Sequence, residues 1–301
     1  MIILKYLQNL ILSQDAFDEV RKGFLNPGYG YFYDPDESIL HPDAVAAHLR
    51  TQWWGRIIYT ADELSSTIDV AKKMISESNA DRHGTVILAN TQTKGRGRYG
   101  NRWVSPKGKD ILLTFLIKNR GWEPSISLLT LYTAITVVRV LNTAYDLAAA
   151  IKWPNDIIFE GRRLGGVLVE RDKSADYQIM SLGLNVHSRP KDWPPDVRHR
   201  AASLSMIKDV PWQRDVLIAQ CGITWEMQWE IMNQDHGHMI REYWNRYSTT
   251  LNKTVSILYK GKAISAFAKS IDHDGGLVLL TDNGAEISLV PEEVQMLKVI
   301  E

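Results

Sequence analysis

Residues 92–108 read QTKGRGRYGNRWVSPKG, with four glycines set among basic side chains, then a tryptophan and a proline. From Gln92 to Lys109 there are six cations (Lys94, Arg96, Arg98, Arg102, Lys107, Lys109) and no acid. TVILANTQ before the stretch and DILLTFLIK after it are rich in strand-forming residues, so the glycine–arginine segment reads as a loop joining two strands. Glycine lets backbone N–H groups approach an anion closely, and arginine offers fixed donors for phosphate or carboxylate oxygens. The segment reads equally as a solvated basic hairpin. A GxxxxGK[ST] phosphate loop is absent, no helical pattern follows the glycines as a dinucleotide fingerprint requires, and the arginine–glycine unit does not repeat.

Outward from the loop, elements of both types alternate. Residues 2–24 read as one amphipathic helix, NPGYGYFYDPD as an aromatic connector, and HPDAVAAHLRT as a short helix with Pro42 in its first turn. A strand is expected in RIIYTADELSST and a helix over 68–78. Apolar residues at helical spacing, unbroken by Gly or Pro, predict a helix over 125–145. Two short strands flank KWPND, RRLGGVLVERD and DYQIMSLGLNVH read as a pair of buried strands, SRPKDWPPD as a loop, and helices fill about 212–248. From about 252, short β-runs alternate with HDGG and DNG turns, the pattern of hairpins. The expected domains are 1–50, a helical extension; 51–250, a mixed α/β domain; and 251–301, a small β-barrel.

The 301 residues are 45% hydrophobic and 23% charged, ordinary for a globular chain, and the formal net charge of zero argues against general nucleic-acid affinity. A single cysteine, Cys221, excludes a disulfide framework or a cysteine-rich metal site. The apolar start, broken by Lys5, Gln8, Asn9 and Gln14, is a poor signal peptide. No run reaches 18 apolar residues. The cytoplasm is the expected location.

Three further motifs carry candidate chemistry. In KWPND, Pro154 biases Trp153 toward extended backbone and Asn155 and Asp156 suit a turn. Lys152 ends an apolar run, so it either needs an anionic partner or snorkels to solvent. In RRLGGVLVE, Gly165 and Gly166 suggest close approach to the backbone or a bulge. In GLNV, Asn185 either reads a base edge or caps a turn. HGH at 236–238 is a metal candidate or a helix junction. No GxSxG nucleophile pattern occurs.

Taken in order and spacing, GRGRYGNRWVSPKG, KWPND, GRRLGGVLVE and GLNV resemble a biotin–protein ligase, and the resemblance covers about residues 56–290. It implies an α+β fold in which a mixed-sheet, class II synthetase-like catalytic domain precedes an SH3-like barrel. It further implies ATP and biotin as substrates, Mg²⁺ with the ATP, and a biotin carboxyl carrier protein of acetyl-CoA carboxylase as partner. A homodimer is possible, and no membrane or specific DNA partner is expected. By resemblance Ser66, Thr67, Gln92, Gly95, Arg96, Lys152, Arg163, Gly165 and Gly166 meet biotin. Arg98, Trp103, Asn155 and Asn185 meet the nucleotide. Lys152, Arg96 and Arg98 serve catalysis, and Asp156 is a weak metal candidate.

The chain departs from the family pattern at Ile68 (often Asn), Asn101 (often Arg) and Arg163 (usually Lys). Lipoate–protein ligase or octanoyl transferase is the nearest alternative, disfavoured by GRGRYG and KWPND. A DNA-binding biotin-responsive repressor would carry a winged helix-turn-helix ahead of the catalytic domain, which needs about three helices and a wing. A non-catalytic biotin binder would not need Lys152 and the basic loop.

Overall fold

A computed structural model describes residues 40–77, 80–119, 121, 123–172, 176–259 and 261–300. The helix expected over 2–24 and the aromatic connector lie outside these residues. The short helix α1 (Pro42–His48) follows His41 and carries Pro42 at its start. Val45 and Leu40 sit in the main core, so this part of the expected N-terminal extension packs with the residues that follow it.

Seven strands form one sheet: β1 (Ile58–Leu64), β2 (Val86–Gln92), β3 (Ile111–Lys118), β4 (Ala150–Lys152), β5 (Asp156–Phe159), β6 (Arg162–Asp172) and β7 (Tyr177–Leu184), in the order β1-β2-β3-β7-β6-β5-β4. Helix α2 (Thr67–Ser76) crosses between the parallel neighbours β1 and β2; the other neighbours pair antiparallel. Strand periodicity gives the sheet two unlike faces. On β7, Met180, Leu182 and Leu184 join the main core, while Tyr177 and Ile179 face the small core under α2 with Ile68, Ala71 and Ile75. Ser181 and Gly183 fall on that second face by alternation. They pair with Thr114 and Leu112 of β3 on one side and with Leu168 and Gly166 of β6 on the other. The face beyond α2 is therefore floored by the small or polar Ser181, Gly183, Thr114 and Gly166 beside Leu112 and Leu168.

Helix α3 (Ile126–Tyr145) covers the main-core face. Ser125 caps it by accepting from Leu128 N at 3.0 Å. It is the one helix among the described residues long and apolar enough to cross a bilayer, yet the protein buries every residue from Ser127 to Leu141. Its threonines tolerate burial by bonding back one turn: Thr130, Thr133 and Thr136 donate to Ile126 O, Leu129 O and Tyr132 O. The short helices α4 (Pro195–Arg198) and α5 (Leu204–Ile207) interrupt the loop after β7, and α6 (Arg214–Asp235) and α7 (His238–Tyr247) pack beside α3. The HGH segment is the junction of α6 and α7, with His236 and Gly237 in left-handed backbone.

Five antiparallel strands end the chain: β8 (Thr254–Tyr259), β9 (Lys262–Ile271), β10 (Leu277–Leu280), β11 (Glu286–Leu289) and β12 (Val294–Ile300), in the order β11-β10-β9-β8-β12. The HDGG and DNG segments form the turns β9–β10 and β10–β11, as their composition predicts. This sheet docks on the first domain through the 272–276 turn. Gly275 O accepts from Trp153 Nε1 at 3.3 Å, and Asp274 O accepts from the Ser125 hydroxyl. A Cβ on Gly275 would stand 2.9 Å from Leu128 N, so only glycine fits.

Candidate active site

A cavity of about 910 Å³ opens over the small-residue floor. One wall is the glycine–arginine loop, which folds as a closed hairpin. Trp103 N donates to Gly95 O at 3.0 Å and Gly97 N to Asn101 O at 2.7 Å, and Arg96 bridges Arg102. Tyr99 and Gly100 at its tip both have positive φ, the requirement of a two-residue hairpin turn that matches strand twist. The glycine–arginine segment is thus a hairpin whose basic residues Arg96, Arg98 and Arg102 line the cavity.

A chain of neutral groups forms part of the lining. Gln92 Oε1 accepts from Thr67 N at 2.7 Å and from Thr67 Oγ1 at 3.2 Å. Thr114 Oγ1 donates to Thr67 Oγ1 at 2.7 Å and lies 2.8 Å from Ser181 Oγ. Ser66, Thr67, Gln92 and Ser181 line the cavity. The sequence reading missed Thr114 and Ser181, because a polar residue inside a buried strand carries no local signal of what it faces.

Seven basic residues line the cavity among the described residues: Arg96, Arg98, Arg102, Lys152, Arg163, Arg200 and Lys298; two acidic ones, Asp156 and Asp196, oppose them. In a chain of zero net charge this excess is local, and it suits an anionic occupant. Arg96 is held by Asp69 at 2.7 Å and faces Glu170 at 3.7 Å. Arg98 donates to Val294 O at 3.1 Å and to Pro291 O, in the segment entering β12. Arg163 Nη2 lies 2.7 Å from Asp156 Oδ2. Lys152 is half-buried. Burial holds its ammonium below the ordinary lysine range against the opposing pull of Asp156, and Arg163 and Lys298 lower it further. Among the described residues no salt bridge holds its Nζ, so its partly desolvated charge is left without a close counter-ion.

Turn 153–155 carries Lys152 into place. Trp153 N donates to Thr250 Oγ1 at 3.0 Å, and Asn155 Nδ2 donates to Val167 O at 2.8 Å. The β5–β6 register shifts between Ile157 and Ile158, a bulge next to the Gly165–Gly166 pair. Close approach is present as well: a Cβ on Gly165 would meet Gly183 O at 2.8 Å. Trp103 lies over Gly183 and Gly166 and lines the cavity.

Three residues expected to contact ligand are not brought to the cavity. Gly95 is buried in the hairpin neck, where a Cβ would stand 2.7 Å from Trp103 O. Gly165 is packed against β7. Asn185 is buried, donating through Nδ2 to Ala202 O at 3.0 Å and Arg163 O at 3.4 Å, and so ties β6 to the proline-rich loop. That loop is a cavity wall: Pro194, Asp196, Val197 and Arg200 line it, and Arg163 N donates to Arg200 O at 2.6 Å. Asp110, fully buried, accepts from Ser105 Oγ at 2.8 Å, Val186 N at 2.8 Å and Ser188 Oγ. It joins the segment after Trp103 to the segment after Asn185. Burial raises its carboxyl above the ordinary range, against these hydrogen bonds.

Comparison with known proteins adds independent information. Residues 61–187 match the Biotin/lipoate A/B protein ligase family. The Bifunctional ligase/repressor BirA of Bacillus subtilis is 30% identical over 296 residues, covering 94% of this chain and 85% of that protein. The Biotin–[acetyl-CoA-carboxylase] ligase of Mycobacterium tuberculosis is 27% identical, covering 75% of this chain and 84% of its own length. The Aquifex aeolicus biotin protein ligase, solved with biotin and ATP, superposes with a TM-score of 0.70 at 24% identity, over 81% of this chain and all of that one, a likeness of fold. The Leishmania major enzyme, solved with biotinyl-5-AMP, gives a TM-score of 0.51 at 26% identity over 78% of this chain and 99% of that one.

Proposed function

The chain belongs to the biotin/lipoate A/B protein ligase family, and we propose that it acts as a biotin–protein ligase through the cavity just described. One observation carries the reading: a single cavity is lined both by a neutral hydroxyl–amide chain and by seven cations. Biotin has a neutral ureido ring and an anionic tail, and ATP is an anion, so the two kinds of lining suit the two reactants.

The biotin carboxylate attacks the α-phosphorus of ATP, forming the acyl phosphate bond of biotinyl-5′-AMP and expelling pyrophosphate. A carrier lysine then attacks the acyl carbon, forming an amide as AMP leaves. Two anions must meet in the first step, so the protein's contribution is charge neutralisation and positioning. Lys152 supplies the charge between them. Arg96 and Arg98 face the phosphate once drawn from Asp69 and the β12 carbonyls. Ser66, Thr67 and Gln92 take the ureido end, with the Gly166 backbone, and Trp103 packs by the adenine. Asn155 and Asn185 hold the walls.

Among the described residues no three His, Cys, Asp or Glu side chains converge on a metal position, and the Asp156 carboxylate is taken by Arg163. Mg²⁺ therefore fits best as part of the substrate, entering as MgATP with phosphate and water ligands. The synthetase-like sheet is followed by a small five-stranded domain that we read as an SH3-like barrel, with the boundary near 251. ATP as co-substrate supports a cytoplasmic location.

Repression is the second reading. The match to the bifunctional Bacillus relative covers 94% of the chain, so it extends into residues before 40. Zero net charge weighs against DNA. The test of the main reading is pyrophosphate release from ATP: biotin should drive it, and lipoate or octanoate should not.

A further inference from the structure

We infer that Tyr99 is a positioning residue that registers the glycine–arginine loop on the C-terminal sheet; the inference rests on the adenylation chemistry proposed above. Tyr99 is 51% exposed, yet its hydroxyl is engaged. Its single proton is shared between Pro291 O at 2.7 Å and Val294 O at 3.0 Å, and its oxygen accepts from Arg98 Nη2 at 3.1 Å. Arg98 donates to the same two carbonyls, and its guanidinium stands 4.9 Å from the Tyr99 ring centre. Those carbonyls lie at the first residue of the 3₁₀ turn Pro291–Glu293 and at the residue that opens β12. That strand carries Leu297 and Lys298 to the cavity. The loop tip and the C-terminal wall are therefore joined by two side chains gripping one turn.

The two grips differ in chemistry. Arg98 is charged, and a phosphate offers its guanidinium an opposite charge and bidentate geometry that a neutral carbonyl lacks. An anion in the cavity competes for the guanidinium. The Tyr99 hydroxyl is neutral and gains no such advantage by leaving. Once Arg98 turns to phosphate, Tyr99 holds the tip in register. Its backbone fits that role: φ 55° and ψ 30° are costly for a non-glycine residue and persist where surrounding contacts hold them.

The experiment compares the full-length chain with Tyr99→Phe, which removes only the hydroxyl. Radiolabelled ATP and biotin are supplied without carrier, and adenylate formation and its release after rapid gel filtration are timed. Loss of one neutral hydrogen bond corresponds to roughly a three- to tenfold change. The expected result is adenylate formation within about threefold of wild type and release faster by that factor. Hydrogen exchange over 95–102 should rise in the adenylate-bound variant alone, a change that a general loss of fold would not confine to the loop. Release and exchange equal to wild type would overturn the role of Tyr99 and leave Arg98 as the sole grip. Wild-type chain that makes no adenylate would instead overturn the ligase reading, and this inference with it.

Discussion

Gly183 lies against the Trp103 indole so closely that a Cβ on the glycine would stand 2.5 Å from Cε2 of the ring. Gly183 pairs with Gly166 across β6–β7, where a Cβ would meet the same ring at an ordinary 3.4 Å. One glycine sets the height of the tryptophan above the sheet, and the other shares the floor beside it.

Gly183→Ala should therefore displace Trp103 and raise the KM for ATP about tenfold. Overpacking of this kind costs about 1–3 kcal/mol. Gly166→Ala should cost less than about 1 kcal/mol. Thermal unfolding and pyrophosphate-release kinetics of both variants check this. Equal effects from the two would show that Trp103 is not fixed by Gly183.

Lys152→Ala should slow adenylate formation about 30- to 1,000-fold, the scale of roughly 2–4 kcal/mol for one preorganised charge. Because burial lowers the affinity of Lys152 for its proton, its free amine is available at lower pH than that of an ordinary lysine. Acetylation at mildly alkaline pH should modify Lys152 early, and biotin with ATP should protect it. Mass mapping reads both outcomes. Early labelling elsewhere, with Lys152 unprotected by ligands, would make it a structural lysine.

His187 gives a pH prediction. Its Nδ1 lies 2.9 Å from Ser205 Oγ and its Nε2 3.1 Å from Trp212 O. Burial first, then the Arg214 charge, push its pKa down to about 4 from the ordinary 6.5. Above pH 6.5 the ring is neutral whether folded or unfolded. As pH falls from 6.5 toward 4 the unfolded chain binds a proton that the folded chain refuses, so stability is lost. The ring is partly exposed, and screening reduces the effect to about 1–2 kcal/mol. Denaturant titrations at pH 7 and 5 should show a smaller pH loss in His187→Gln than in wild type; equal losses would contradict the assignment.

No sequence-selective DNA binding is expected at physiological salt. A gel shift that biotin induces on one sequence and not on scrambled DNA would establish repression as a second activity.

The sequence shows the elements well where periodicity and turn chemistry are local. Leu128 to Leu141 repeat at helical spacing, and the glycines of HDGG and DNG announce hairpins. KWPND and GRGRYG were legible as site segments because their residue types are unusual together. Arg200 and Lys298 were not, since nothing near them in the chain tells that a loop and a distant strand close over the same cavity. Asn185 reads from sequence as facing a base edge or capping a turn; its Nδ2 donates to Ala202 O and Arg163 O, partners that only the folded chain reveals. Arg98 was read as a phosphate cap; its present partners are carbonyls 193 and 196 residues away, a contact that only the folded chain reveals.

The central claim is transfer of biotin to a carrier lysine, and intact-mass measurement tests it most directly. The chain is incubated with MgATP, biotin and an acetyl-CoA carboxylase carrier domain, beside a carrier whose acceptor lysine is replaced by arginine. The expected result is a gain of one biotinyl group on the native carrier, dependent on ATP, and none on the variant. An unmodified native carrier, with biotin and ATP both bound by the chain, would contradict it.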